Sequence, residues 1–231
     1  VRILAIETAT IEVGVAIGDR TGPVATLTAR PGRRQAETLH PAIAHVCRVA
    51  GVALGDLDAI AVDIGPGLFT GLRVGVAAAK ALAGALGLSV VTATSLEILA
   101  AACPAGFGSV VPVIDMRRGE LGWLMPERLP GAFRVGSPDE LASDLAMLTG
   151  PVLLAGDGAL RHRSSLEARA QTVFAGLELA APPVASLVVL AMAAMDAGSC
   201  VDPAAVRPVY GREADARINW SSRESREAVS G

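Results

Sequence analysis

The chain has 231 residues, a formal net charge of −3, 52% hydrophobic residues and 3% aromatics. At roughly 150 residues per domain that length suits one large domain or two small lobes. The acidic balance and the scarcity of aromatic rings exclude a protein that grips nucleic acid unaided through a broad basic, base-stacking surface. Lys80 and the Pro182-Pro183 pair interrupt the apolar runs, which sets an expectation of no membrane-spanning segment, since such a helix needs ~20 residues. The opening run Val1 to Ile6 meets Glu7 too early for a signal peptide and reads as a core strand. The expected location is therefore the cytoplasm. Cys47, Cys103 and Cys200 are scattered and odd in number, without CxxC spacing, which points to small buried hydrophobes rather than a disulfide or zinc framework.

Arg2 to Thr8, Val13 to Gly18 and Pro23 to Ala29 are apolar or alternating runs split by turn residues, the pattern of an antiparallel meander. From Gln35 to Ala50, Leu39, Ile43, Val46 and Val49 recur at three- and four-residue steps, predicting an amphipathic helix that starts near Pro41 or kinks there. A strand at Ala59 to Ile64, a helix at Thr70 to Leu86 and a strand at Ser89 to Thr92 complete a first lobe. The second half restarts with a strand at Ser109 to Ile114, the charged turn Asp115 to Glu120 and a return strand to Leu124. Ser137-Pro138-Asp139-Glu140 carries a capping box with proline at the first helical position. A strand at Val152 to Ala155, a turn at Gly156-Asp157-Gly158 and a helix from Pro183 to Ala197 follow. The related order of the two halves predicts an α/β protein of duplicated lobes, residues 1–102 and 103–219, with the last segment of the second returning to the first. Residues 220–231 are expected to form a flexible tail.

The most informative stretch is Asp63 to Gly75, where a strand end, a Gly65-Pro66-Gly67 bend and a helix start meet. Thr70 is the expected cap of that helix, and backbone N–H groups at such a start form an anion site. The spacing matches neither GxGxxG nor the phosphate loop ending in Gly-Lys-Ser/Thr. A ligand-free turn is the alternative.

Ile3 to Thr10, the Gly65 to Gly75 turn, Asp115 to Glu120 and Pro208-Val209-Tyr210-Gly211-Arg212-Glu213 together resemble the TsaB (YeaZ) family, in order along nearly the whole chain. The resemblance implies two ribonuclease H-like lobes of the actin, sugar-kinase and Hsp70 type. It further implies a non-catalytic paralogue of TsaD, the subunit that transfers the threonylcarbamoyl group to tRNA. The implied partners are a TsaD-like catalytic subunit, a TsaE-like ATPase, a second copy when the first is missing, and tRNA only through the complex. TsaD-like chains place two metal-binding histidines four apart on a helix, and Ser95 and Leu99 stand at the matching positions here. Leucine offers no lone pair, so no metal is expected. His40 and His45 lie about 140° apart around a helix and His162 sits between arginines, so the histidines do not restore the site. No cofactor is expected either, because Glu7 and Glu12 near the first phosphate loop repel an anion, and Gly156-Asp157-Gly158, at most a remnant of an adenosine loop, reads better as a simple turn.

Glu7, Thr8, Gly65, Gly67, Thr70, Asp115, Arg117 and Arg118 are the candidates for a vestigial nucleotide site or cleft. The two arginines face that cleft or are solvated turn charges. Gly71, Gly75, Ala79 and Ala83 fall four apart on one strip of the glycine-turn helix. That strip packs either on the protein's own sheet or on a partner, and the resemblance favours a partner interface that includes Leu39, Ile43, Val46 and Val76. Gln35, Ala36 and Leu68 depart from the residues usual in the family, as does Glu7, where aspartate is common. The rival reading is a stand-alone nucleotide-dependent enzyme of the same superfamily, or a glycoprotease-like hydrolase.

Overall fold

The computed structural model describes residues 1–32, 34–126, 133–167 and 171–211. The expected tail at 220–231, and Arg212 and Glu213 of the last motif, lie outside the described residues. The first three strands, β1 (Arg2–Glu7), β2 (Val13–Asp19) and β3 (Gly22–Ala29), form the expected antiparallel meander. Helix α1 (Gln35–Ala50) leads to β4 (Ala59–Asp63), helix α2 (Phe69–Leu86) to β5 (Ser89–Ala93), and both strands lie parallel to β1 in the order β3-β2-β1-β4-β5.

After helix α3 (Ser95–Ala102) the plan repeats. Strands β6 (Ser109–Arg117), β7 (Glu120–Trp123) and β8 (Arg134–Gly136) run antiparallel. Helix α4 (Pro138–Ala146) precedes β9 (Val152–Ala155), and the short helices α5 (Asp157–Arg161) and α6 (Arg163–Leu166) precede β10 (Thr172–Phe174). The second order, β8-β7-β6-β9-β10, matches the first strand for strand. Helix α7 (Val184–Asp196) follows, and the described chain then returns to the first lobe through a bridge from Val201 to Val90.

Both faces of β1 are buried because helices cover both. Leu4 and Ile6 pack toward α1 and α2, while Ile3 and Ala5 pack toward α7, the period-two division that a central strand imposes. The helices following the last strand of each sheet change places. Helix α7 lies on the first sheet, where Val184, Leu187, Val188 and Ala191 meet Ala16, Ala59 and Ala61. Helix α3 packs Leu96 and Leu99 against Ile114 of the second sheet.

The helix at α1 begins at Gln35 and runs on through Pro41 to Ala50, so it does not start at that proline. Pro41 is exposed, and its ring costs one backbone hydrogen bond on the solvent side. The Ser137 capping box forms as expected: Ser137 N donates to Glu140 Oε2 at 2.7 Å and Glu140 N to Ser137 Oγ at 3.2 Å. Thr70 does not cap α2, because the cap position falls on Leu68 and Thr70 sits exposed inside the first turn. Gly156-Asp157-Gly158 is the entry to α5 rather than a simple turn, with the Asp157 Oδ1 accepting the Asp115 N–H at 2.9 Å. Among the described residues one helix, α2, is long and apolar enough to cross a membrane. Its inward face packs on the first sheet in this fold, as a core helix does.

Candidate functional site

The strand ends of β1 and β4 carry two buried carboxyls side by side. Ile6 pairs with Val62, so the next residues, Glu7 and Asp63, occupy neighbouring positions at 1% and 0% exposure. Glu7 Oε1 accepts the Ala9 N–H at 2.7 Å. Asp63 Oδ1 accepts the Gly65 N–H at 2.7 Å, and the Ser95 hydroxyl stands 2.8 Å from both Asp63 oxygens. Burial pushes Asp63 up to about 7, and Glu97 adds to the rise against the pull of the Gly65 and Ser95 hydrogen bonds. Burial, and then Asp63 itself, holds Glu7 well above the ordinary carboxylate range. The second negative group beside Glu7 is thus chiefly Asp63; Glu12 is paired to Arg30 Nε at 2.7 Å.

This pair gives the fold a pH dependence whose sign is fixed. A carboxyl that holds its proton more tightly when folded makes the folded chain bind more protons between the unfolded value, ~3.9, and about 7. Its stabilising contribution is complete at the acid end and is lost as pH rises through that window. Urea unfolding from pH 5 to 8 is expected to show the wild-type midpoint declining relative to Asp63→Asn, whose Oδ1 still accepts from Ser95. Parallel curves for the two proteins would rule out the assignment.

The start of α2 is filled by the protein's own chain. Leu68 N donates to the Ala9 carbonyl at 2.6 Å, Thr8 Oγ1 to the Gly71 carbonyl at 2.8 Å, and Gln35 Nε2 to the Thr10 carbonyl at 2.7 Å. A Cβ on Gly67 or Gly71 would overlap the carbonyl oxygens of Ala9 and Thr8, respectively. The anion site expected there is therefore occupied by the loop after β1, which sets carbonyl oxygens against the helix start. Gly65 is buried, with its carbonyl accepting the Ser95 N–H at 2.9 Å. On β6 of the second sheet, the Asp115 carboxylate is bound by Arg117 at 3.1 Å and Arg161 at 3.0 Å. Arg117 and Arg118 adopt left-handed backbone angles, φ 66° and 56°. Arg117 is thus neither a free cleft cation nor a purely solvated turn charge: it is exposed, yet turned back onto Asp115.

The expected partner strip faces inward. Leu39, Ile43, Val46, Val76, Ala79 and Ala83 are buried in the first-lobe core, and Gly71 and Gly75 are buried with them. An added Cβ on Gly75 would overlap Thr8 Oγ1. The reading that places these residues in a partner interface is corrected by their burial, and the alternative, packing on the protein's own sheet, describes them. The outward face of α2 is instead Thr70, Arg73, Ala77, Ala81 and Gly84, and Pro41, Ala44 and Arg48 are among the exposed residues of α1.

The sequence region 28–132 matches the family described as "TsaD: tRNA N6-adenosine threonylcarbamoyltransferase". The chain is 32% identical over 171 residues to "tRNA threonylcarbamoyladenosine biosynthesis protein TsaB" of Bacillus subtilis, covering 71% of this chain and 75% of that one. This chain belongs to the TsaB family. The Escherichia coli TsaB protein is 33% identical over 129 residues, 55% of each chain. YeaZ from Pseudomonas aeruginosa superposes with a TM-score of 0.76 at 28% identity, covering 90% of this chain and 99% of that one.

For a TsaB chain the decisive positions lie on α3. Leu99 is fully buried in an apolar cluster with Leu96 and Ile114, and the Ser95 hydroxyl is committed to Asp63. His40 and His45 are exposed on α1, with His45 Nδ1 2.8 Å from Arg48, and His162 is half-buried far along the chain. Among the described residues no three His, Cys, Asp or Glu side chains converge to hold a metal ion. These residues do not fit the TsaD-like metal. The crowded carboxyls and the filled helix start do not fit a nucleotide phosphate either.

Proposed function

We propose that this chain is the non-catalytic subunit of a tRNA threonylcarbamoyladenosine-forming complex in the cytoplasm. It binds a TsaD-like catalytic subunit through the outward faces of α1 and α2, pairs with a second copy when that subunit is missing, and helps a TsaE-like ATPase dock. tRNA is reached only through the complex. The observation that carries this reading is the pair Ser95 and Leu99, one hydrogen-bonded to Asp63 and the other sealed in the core. The chemistry then belongs to the partner, and what this chain contributes is a surface.

Reconstitution tests it. With the TsaD-like subunit, the ATPase and tRNA present, omitting this chain is expected to reduce modification at least 10-fold, whereas the chain alone modifies nothing. Turnover by the isolated chain that is lost on changing Glu7 or Asp115 would favour the rival enzyme.

A further inference from the structure

We infer that Arg73 is the specificity anchor of the α2 face, its guanidinium taking a carboxylate from the protein partner that covers this helix. The assignment rests on the docking reading above and names the chemistry it requires of the partner.

Arg73 is exposed, yet its side chain is already held. Its guanidinium carbon lies 3.7 Å from the Phe69 ring centroid, and its Nε donates to the Tyr210 hydroxyl at 3.1 Å. The two rings pack with centroids 5.0 Å apart. Tyr210 is itself fixed, because Val209 N donates to the Ile64 carbonyl at 2.7 Å and Lys80 Nζ to the Val206 carbonyl at 3.0 Å. The segment carrying Tyr210 thus forms a strap along α2. Arg73 has no carboxylate partner among the described residues, while its two Nη groups keep N–H donors in a planar fork. A fork held by stacking and by a bond at Nε loses little freedom when a carboxylate binds it at both Nη groups.

The surroundings select a protein carboxylate over an RNA phosphate. Ala77, Ala81 and Gly84 continue the same exposed face without charge, which suits the close approach of a helix and gives no track for successive phosphates. Lys80, the nearest cation along the helix, is committed to the carbonyls of Ala204 and Val206. One fixed arginine beside two aromatic rings at the edge of a small-residue face is the composition of an interface hot spot.

The test is titration calorimetry of the TsaD-like subunit with the full chain and its Arg73→Lys, Arg73→Gln and Tyr210→Phe variants, each checked for wild-type urea stability. Arg73→Lys is expected to weaken binding at least 10-fold, Arg73→Gln more, and Tyr210→Phe a few-fold. Replacing the Asp and Glu residues of the partner one at a time by Asn or Gln should find one whose loss is not additive with Arg73→Gln. Binding indifferent to Arg73, no coupled carboxylate, or unchanged assembly with weakened tRNA affinity would each overturn this assignment alone. If the wild-type chain forms no complex at all, the docking reading falls and takes the anchor with it.

Discussion

Gly75→Leu is expected to destabilise the fold itself rather than merely to strip the chain of a partner. A side chain at that position drives its Cβ into Thr8 Oγ1, the atom that donates to the Gly71 carbonyl and ties the loop after β1 to α2. Removing a mid-helix glycine gains about 1 kcal/mol of helix propensity. Overpacking a closed core costs about 1–3 kcal/mol and occasionally more, and here the obstacle is an ordered loop with Leu68 N and Gln35 Nε2 bonded to it. The cost therefore wins, and a net loss of about 1–2 kcal/mol is expected in urea unfolding. Ala81→Leu on the outward face is the control and should stay within about 0.5 kcal/mol of wild type. A Gly75→Leu protein as stable as wild type would mean that the loop after β1 does not pack on α2 as described.

The double change Ala77→Arg with Ala81→Arg should do the opposite. Both side chains are exposed, so the isolated chain keeps its stability. A partner helix resting closely on that face would be held off by two long cations for which the contact leaves no room, and burying an unpaired charge is costly. Binding to the TsaD-like subunit is expected to fall at least 100-fold, about 2.7 kcal/mol, with tRNA modification falling alongside. Calorimetry and size-exclusion chromatography read the first, and modified-nucleoside analysis the second. Undiminished binding would place the interface elsewhere on the molecule.

These two predictions separate what was legible in the sequence from what was not. The meander showed itself because β1 to β3 are apolar or alternating runs cut by turn residues, and α4 because Ser137, Pro138 and Glu140 supply a complete start signal. Helix α1 was legible through its spacing, although Pro41 pointed to a start that lies six residues too late. The inward side of α2 was not. That helix is apolar nearly all round, with alanines on both its buried and its exposed sides, so a 3.6-residue period has little contrast to report. Glycines four apart looked like a partner strip when they are the clearance for Thr8 and its neighbours.

The carboxyl pair was hidden for a different reason. Glu7 and Asp63 lie on separate strands, and only the register of β1 on β4 brings them together. Thr94 and Glu97 form a capping box, with Glu97 N bonded to Thr94 Oγ1 at 3.1 Å, a local signal for α3 that the elements expected from the sequence did not include. The strap that fixes Tyr210 against Arg73 crosses 137 positions of chain and leaves no local trace.

The exchange of α3 and α7 bears on how the chain comes to be folded at the ribosome. The alanine-lined side of the amino-terminal sheet receives its cover only when Val184–Asp196 has emerged. Until then nascent β1 and β2 have a greasy flank exposed to water, a target for chaperones and for aggregation. A fragment ending near residue 102 is accordingly no free-standing module. The amino-terminal half waits for α7, nearly a hundred residues further along the chain, before it can close.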